Sequence, residues 1–199
     1  MTRLHIVMGP GQAVDFLGMV RTGVTVAVRV GCSVADLLVG RFGLDETYVT
    51  RRITTIFLDG KPVDAVGSAR ARDGATLALS AAMPGLAGAI LRCDGALSSL
   101  RGAITYRDAA DAAPEREGAI RVKLFNLLAP ELAPVLLRRG VLLPVPEAER
   151  FFRERSPSFW NGCREILLEG ERIGPERLIE GGWASCTGPV RFSVRMEEG

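Results

Sequence analysis

Residues 24–80 constrain the fold more than any other part of the chain. They read VTVAVRV, GCSVADLLVGRFG, RRITTIFLDGKPV and ARDGATLALS, which is strand, helix, strand, turn and strand within one compact span. In 24–30 β-branched residues alternate with Thr25, Ala27 and Arg29, the period of a strand with one face on a core. Gly31 and Cys32 end it, and Ser33 is placed to cap a helix, with Asp36 favourable near its positive end. Val34, Leu37, Leu38 and Phe42 fall on one helical stripe, and Gly43 is the expected stop.

Residues 53–58 predict a strand, and Asp59-Gly60 predicts a tight turn into the short arm 61–63, because both turn residues tolerate positive φ. Asp73-Gly74 predicts a second turn, and 75–80 a further strand. Upstream, 4–8 reads as a strand broken by Gly9-Pro10-Gly11, and 14–20 as another extended piece. Either is an expected hairpin partner of 24–30. The polar run 44–52 reads as a connection. Residues 81–102 are rich in Gly and Ala with no clean period, which points to close backbone packing or an irregular path, and 103–106 reads as one more strand.

From 107 to 118 the composition turns polar, as in an exposed linker. A second half follows: a strand at 119–124, a helix at 130–139 with Pro134 awkward in its interior, a short apolar piece at 141–143, a helix at 147–155, a strand at 165–168 into Glu169-Gly170, and a last strand at 190–196. IFLDGK in the first half matches ILLEGE in the second. The C-terminal part is therefore either a diverged second copy or an elaboration.

The run GCSVADLL, the strand ending in FLDGKPV and the strand DGATLALS together resemble the β-grasp fold as used by ThiS and MoaD-like sulfur-carrier proteins, over roughly residues 4–88. The resemblance implies a β-grasp fold. The family's activity needs a terminal Gly-Gly whose carboxylate is activated and converted to a thiocarboxylate. Here the corresponding stretch is Met83, Pro84, Gly85, Leu86, Ala87 and Gly88, which is internal and ends in Ala-Gly. An internal glycine has no carboxylate, so that chemistry would need cleavage after Gly88.

The chemistry-bearing residues are few. His5 is the only histidine, and the four cysteines, Cys32, Cys93, Cys163 and Cys186, are scattered without CxxC spacing. Cys32 precedes a helix N-terminus and Cys163 is a second candidate nucleophile, but small buried hydrophobes in a reducing compartment explain both more simply. Gly9-Pro10-Gly11 lacks the residues of a phosphate loop. A formal net charge of +2, with Glu147, Glu149 and Glu154 interleaved among Arg150, Arg153 and Arg155, gives no basic face for nucleic acid. No signal-like or membrane-spanning run is read, so the expected address is the cytosol. Phe151, Phe152, Phe159 and Trp160 read as packing residues.

The expectation is an α+β protein: a β-grasp-like domain over 1–106, a linker over 107–118 and a C-terminal α+β region over 119–199. The leading reading is a non-enzymatic binding or assembly module without cofactor or metal, meeting a protein partner or a second copy through Met83, Pro84, Gly85, Leu86 and Gly88. The alternatives are a sulfur-carrier-related protein processed near Gly88 and a small cysteine-dependent enzyme.

Overall fold

The computed structural model describes the whole chain except residues 82, 84, 94, 96, 103, 108–113, 182, 184–187 and 198–199. It is an α+β protein. In chain order the elements are β1 (Arg3–Met8), a 3-10 turn (Gln12–Phe16), α1 (Leu17–Thr22), β2 (Val24–Val30), a π-helical segment (Asp36–Arg41), α2 (Glu46–Arg51), β3 (Thr55–Leu58), β4 (Lys61–Pro62) and β5 (Thr76–Ser80). There follow α3 (Gly85–Leu91), a 3-10 turn (Ser98–Arg101), β6 (Arg116–Phe125), α4 (Leu128–Arg139), β7 (Val141–Leu143), α5 (Val145–Arg153), α6 (Pro157–Gly162), β8 (Cys163–Leu168), β9 (Glu171–Arg172), α7 (Pro175–Ile179) and β10 (Val190–Met196). No helix among the described residues is long and apolar enough to cross a membrane.

The chain forms two compact units, Val20–Glu131 and Met1–Met19 with Leu132–Gly199. In the first the strand order is β4-β3-β5-β6-β2. Strand β6 runs antiparallel to β2 and parallel to β5, and β3 is antiparallel to both β5 and β4. Val24, Val26, Val28 and Val30 of β2 share the buried face with Ile120, Val122 and Leu124 of β6. The Ser33 cap forms as the spacing predicts: the Asp36 amide donates to Ser33 Oγ at 3.0 Å, and the Ser33 hydroxyl donates to the Asp36 carboxylate at 2.6 Å. Val34, Leu37, Leu38 and Phe42 are all buried, and Gly43 stops the helix at φ 69°. The segment closes with a π-type bond from the Phe42 amide to the Leu37 carbonyl.

In the second unit the order is β7-β10-β1-β8-β9. Strand β10 is antiparallel to β7 and parallel to β1, while β8 is antiparallel to β1 and β9. Read from β2 and from β7, the two units thus show the same sequence of senses: antiparallel, parallel, antiparallel, antiparallel. Their hairpins carry the same turn, Asp59-Gly60 at φ 50° and 76° and Glu169-Gly170 at φ 52° and 87°. Aromatic rings fill the core of this unit. Phe152 packs on Trp183 at 5.8 Å and on Phe192 at 5.5 Å, and Phe16 lies 5.8 Å from both Phe151 and Phe159. The cluster at 151–160 is therefore packing material, as its composition suggests.

Several local expectations are corrected. Residues 14–20 are helical, because their buried residues Phe16 and Val20 stand four apart, a helical spacing rather than an alternation. The antiparallel partner of β2 within its unit is β6, with Val24 opposite Val122 and Val26 opposite Ile120, so apolar faces match in register. The polar run 44–52 contains α2, since Asp45 accepts from the amides of Thr47 and Tyr48 at 2.8 and 3.2 Å and supplies an N-cap. Residues 104–106 form a turn, with the amides of Ile104 and Thr105 bonded to the Arg101 carbonyl. Strand β6 starts at Arg116, inside the expected linker, of which 108–113 lie outside the described residues. The helix expected at 130–139 does form, as α4, with Pro134 in its interior.

Candidate functional site

Strands β3, β5 and β6 bury one face and leave the other open, and on the open face lies a groove of about 740 Å3. Alternation decides its lining: Ile56, Leu58, Leu77, Ile120, Val122 and Leu124 point to the core, so Phe57, Thr76, Ala78, Lys123 and Phe125 face outward. Register then sets their order. Phe57 lies opposite Ala78, which lies opposite Lys123, and Ser80 lies opposite Phe125. The row is a ring, a small floor and a cation. Met83 also lines the groove, and Phe125 keeps 42% of its surface in water.

The polar residues of the groove are differently engaged. Asp59 accepts the Thr76 amide at 2.8 Å, and the Asn126 side-chain amide donates to Ser80 Oγ at 3.0 Å. Gly23 gives the Lys123 stem its seat, since a Cβ on Gly23 would stand 2.9 Å from Lys123 Cγ. The Lys123 ammonium has no carboxylate within ion-pair distance among the described residues. Next to Ser80, the Thr55 hydroxyl is buried without a hydrogen-bond partner.

Beside the groove, α3 packs on the 3-10 turn Ser98–Arg101. Arg101 holds this segment from inside. Only 2% exposed, it donates to the Ile90 and Arg92 carbonyls at 2.6 and 3.0 Å, to Thr105 Oγ1 at 3.2 Å and to the Asp64 carboxylate at 2.5 Å. Further ties run from the Cys93 amide to the Thr54 carbonyl and from the Tyr106 amide to the Pro62 carbonyl, both 2.8 Å. The same segment carries exposed apolar side chains: Leu86, Leu100 and Ile104 are 69%, 70% and 55% exposed.

The residues expected to meet a partner divide among these features. Met83 lines the groove, Gly85 opens α3 at φ 74°, and Leu86 is exposed. Pro84 lies outside the described residues. Gly88 is buried inside α3, and the position of a Cβ there is taken by the Met83 carbonyl. Arg101, Lys123 and Phe125 were not among the expected site residues. The outward positions of AIRVKLF, a phenylalanine among them, were the signal available for the last two. Arg101 had none, because nothing local distinguishes a buried arginine from a surface one.

The groups considered for nucleophilic chemistry each have a partner within their own unit. The Cys32 thiol donates to the Arg29 carbonyl at 3.1 Å, and burial, then Glu115 and Asp36, push its pKa up. Cys163 contacts Met8 Sδ at 3.3 Å, and burial pushes its thiol up to about 11. His5 Nδ1 is hydrogen-bonded to Ser193 Oγ at 2.9 Å. Among the described residues no three His, Cys, Asp or Glu side chains gather as metal ligands. Comparison with family models, curated proteins and solved structures finds no match.

Proposed function

We propose that the chain is a non-enzymatic β-grasp binding or assembly module that meets a protein partner through the apolar surface of the segment following β5. The observation that carries this reading is the pairing of exposed Leu86, Leu100 and Ile104 with the buried Arg101 that braces their segment. Large apolar side chains left in water favour burial against another surface, and a segment already tied down loses little further entropy on docking. Support for the β-grasp assignment is the helix between β2 and the β3–β4 hairpin, with its capped start, glycine stop and Asp-Gly turn. The matching strand senses and hairpin turns of the two units favour reading them as diverged copies. Among the described residues the free thiols of Cys32 and Cys163 suit a reducing compartment, for which the cytosol is the simplest address.

The test is affinity capture with the full-length chain, beside Leu86→Asp/Leu100→Asp, with the intact mass of each bait measured. Under this reading the full-length bait enriches one protein or its own untagged copy, and the double variant, equally stable, loses it. Capture that the double variant leaves unchanged would overturn the reading. A bait recovered as a species ending at Gly88 would instead support the sulfur-carrier alternative.

A further inference from the structure

We propose that the groove on the open face of β3, β5 and β6 binds a small amphipathic anion, with its apolar body over Ala78 between Phe57 and Phe125 and its charged head on the ammonium of Lys123. This does not depend on the partner-protein reading, which rests on Leu86, Leu100 and Ile104.

Four observations converge on that chemistry. The volume, about 740 Å3, is that of a site for a small organic molecule rather than for a single ion. The floor is shaped by register: Ala78, the smallest side chain of its row, lies between Phe57 and Lys123, so a ligand resting on it touches a ring on one side and a cation on the other. Phe125, on the same face two residues from Lys123, and Met83 extend the apolar wall, and a flexible thioether adapts to a varied apolar body.

Charge gives the direction. Two groups of opposite sign line the groove. The Asp59 carboxylate already accepts the Thr76 amide, whereas the Lys123 ammonium has no carboxylate beside it among the described residues. An ammonium in a partly apolar hollow gains most from an anion that displaces water from both the charge and the rings. Its stem is seated against Gly23, so part of the entropy of holding the head group has been given up before a ligand arrives.

The probe is decanoate below its micellar concentration, titrated into the 15N-labelled full-length chain, with decanol and decyltrimethylammonium as matched tails. Decanoate should move the amides of Phe57, Ala78, Lys123 and Phe125 and bind about three- to tenfold more tightly than decanol, the range expected for one net hydrogen bond in a site open to water. Added NaCl should weaken decanoate and leave decanol unchanged, a readout that needs no variant. Lys123→Gln should bring decanoate down to decanol, Lys123→Arg should preserve the preference, and Ala78→Leu should exclude all tails by filling the floor. Tighter binding of decyltrimethylammonium would show that Asp59 sets the sign and overturn the proposal. Equal binding of the three tails, shifts confined to other surfaces, or no saturable shift at all would overturn it as well.

Discussion

The guanidinium of Arg101 and the carboxylate of Asp64 meet at 2.5 Å, 37 residues apart in the chain, with the arginine buried and the aspartate 28% exposed. The same guanidinium serves two carbonyls and a hydroxyl, so one side chain ties several points of the segment together.

Arg101→Met should therefore destabilise the protein by about 2–4 kcal/mol, because it removes one buried side chain's bonds to two carbonyls, a hydroxyl and a carboxylate at once. Arg101→Lys should recover only part of this, since an ammonium cannot reproduce the forked geometry. Urea unfolding measures the loss, and hydrogen exchange should show it first in α3. A change below about 0.5 kcal/mol would mean that the segment is held by something else.

Gly88 and Gly40 make a matched pair. At Gly88 a methyl group would meet the backbone carbonyl of Met83, so Gly88→Ala should cost about 1–3 kcal/mol or displace α3. At Gly40, inside the π-helical segment, nothing lies within 4 Å of the added carbon, so Gly40→Ala should be neutral or stabilise by up to about 1 kcal/mol. Thermal melts of the two variants should move in opposite directions or differ clearly in size.

Glu131 accepts from Arg52 and from the Tyr48 hydroxyl, the latter at 2.5 Å, and these bonds hold its carboxyl below the usual value of 4.5. A carboxylate with a lowered folded-state pKa contributes stability that is complete above its unfolded value and fades as pH falls through the folded one. The stability gap between the native protein and Glu131→Gln should thus be constant near neutrality and shrink below about pH 4.5. Chemical denaturation at stepped pH checks this; a gap that widens on acidification would contradict it. Burial, with the hydrogen bond to Glu131 behind it, pushes the Tyr48 phenol up, so absorbance titration should find it protonated beyond the range of a free tyrosine.

Cys163, with its thiol near 11 against an ordinary 9.0, should carry about a hundredfold less thiolate than a free cysteine at neutral pH. Iodoacetamide labelling followed by mass spectrometry should find Cys163 and Cys32 slow in the folded protein and fast in urea. Rapid native labelling of either would return a nucleophilic role to consideration.

Much of the local structure was legible because its causes are local. Ser33, the stripe from Val34 to Phe42 and Gly43 specify a capped and stopped helix within eleven residues of chain, and Asp59-Gly60 and Glu169-Gly170 supply the positive φ their hairpins require. Residues 14–20 were misread because six or seven residues with spaced apolar side chains fit either period. Helix α2 was missed because its signal is a single cap, Asp45, and a single buried residue, Val49.

The candidate site was legible only in part. The outward side chains of β6 follow from alternation, and Met83 was singled out by its place after β5. The groove itself needs Phe57, Ala78 and Lys123 in one row, and that row exists only once β3, β5 and β6 have paired in their particular register.

Strands, turns and caps were thus determined by the sequence, since period, capping hydroxyls and positive-φ residues act over a few positions. Which strand lies beside which was decided by the tertiary structure alone. Strand β2 finds its antiparallel partner in β6, 92 residues further on between Val24 and Arg116, and β1 lies parallel to β10 at the far end of the chain. A strand's backbone hydrogen-bonding groups are the same in every strand. Only the matching of apolar faces across the folded core selects among partners, and that matching is a property of the whole chain.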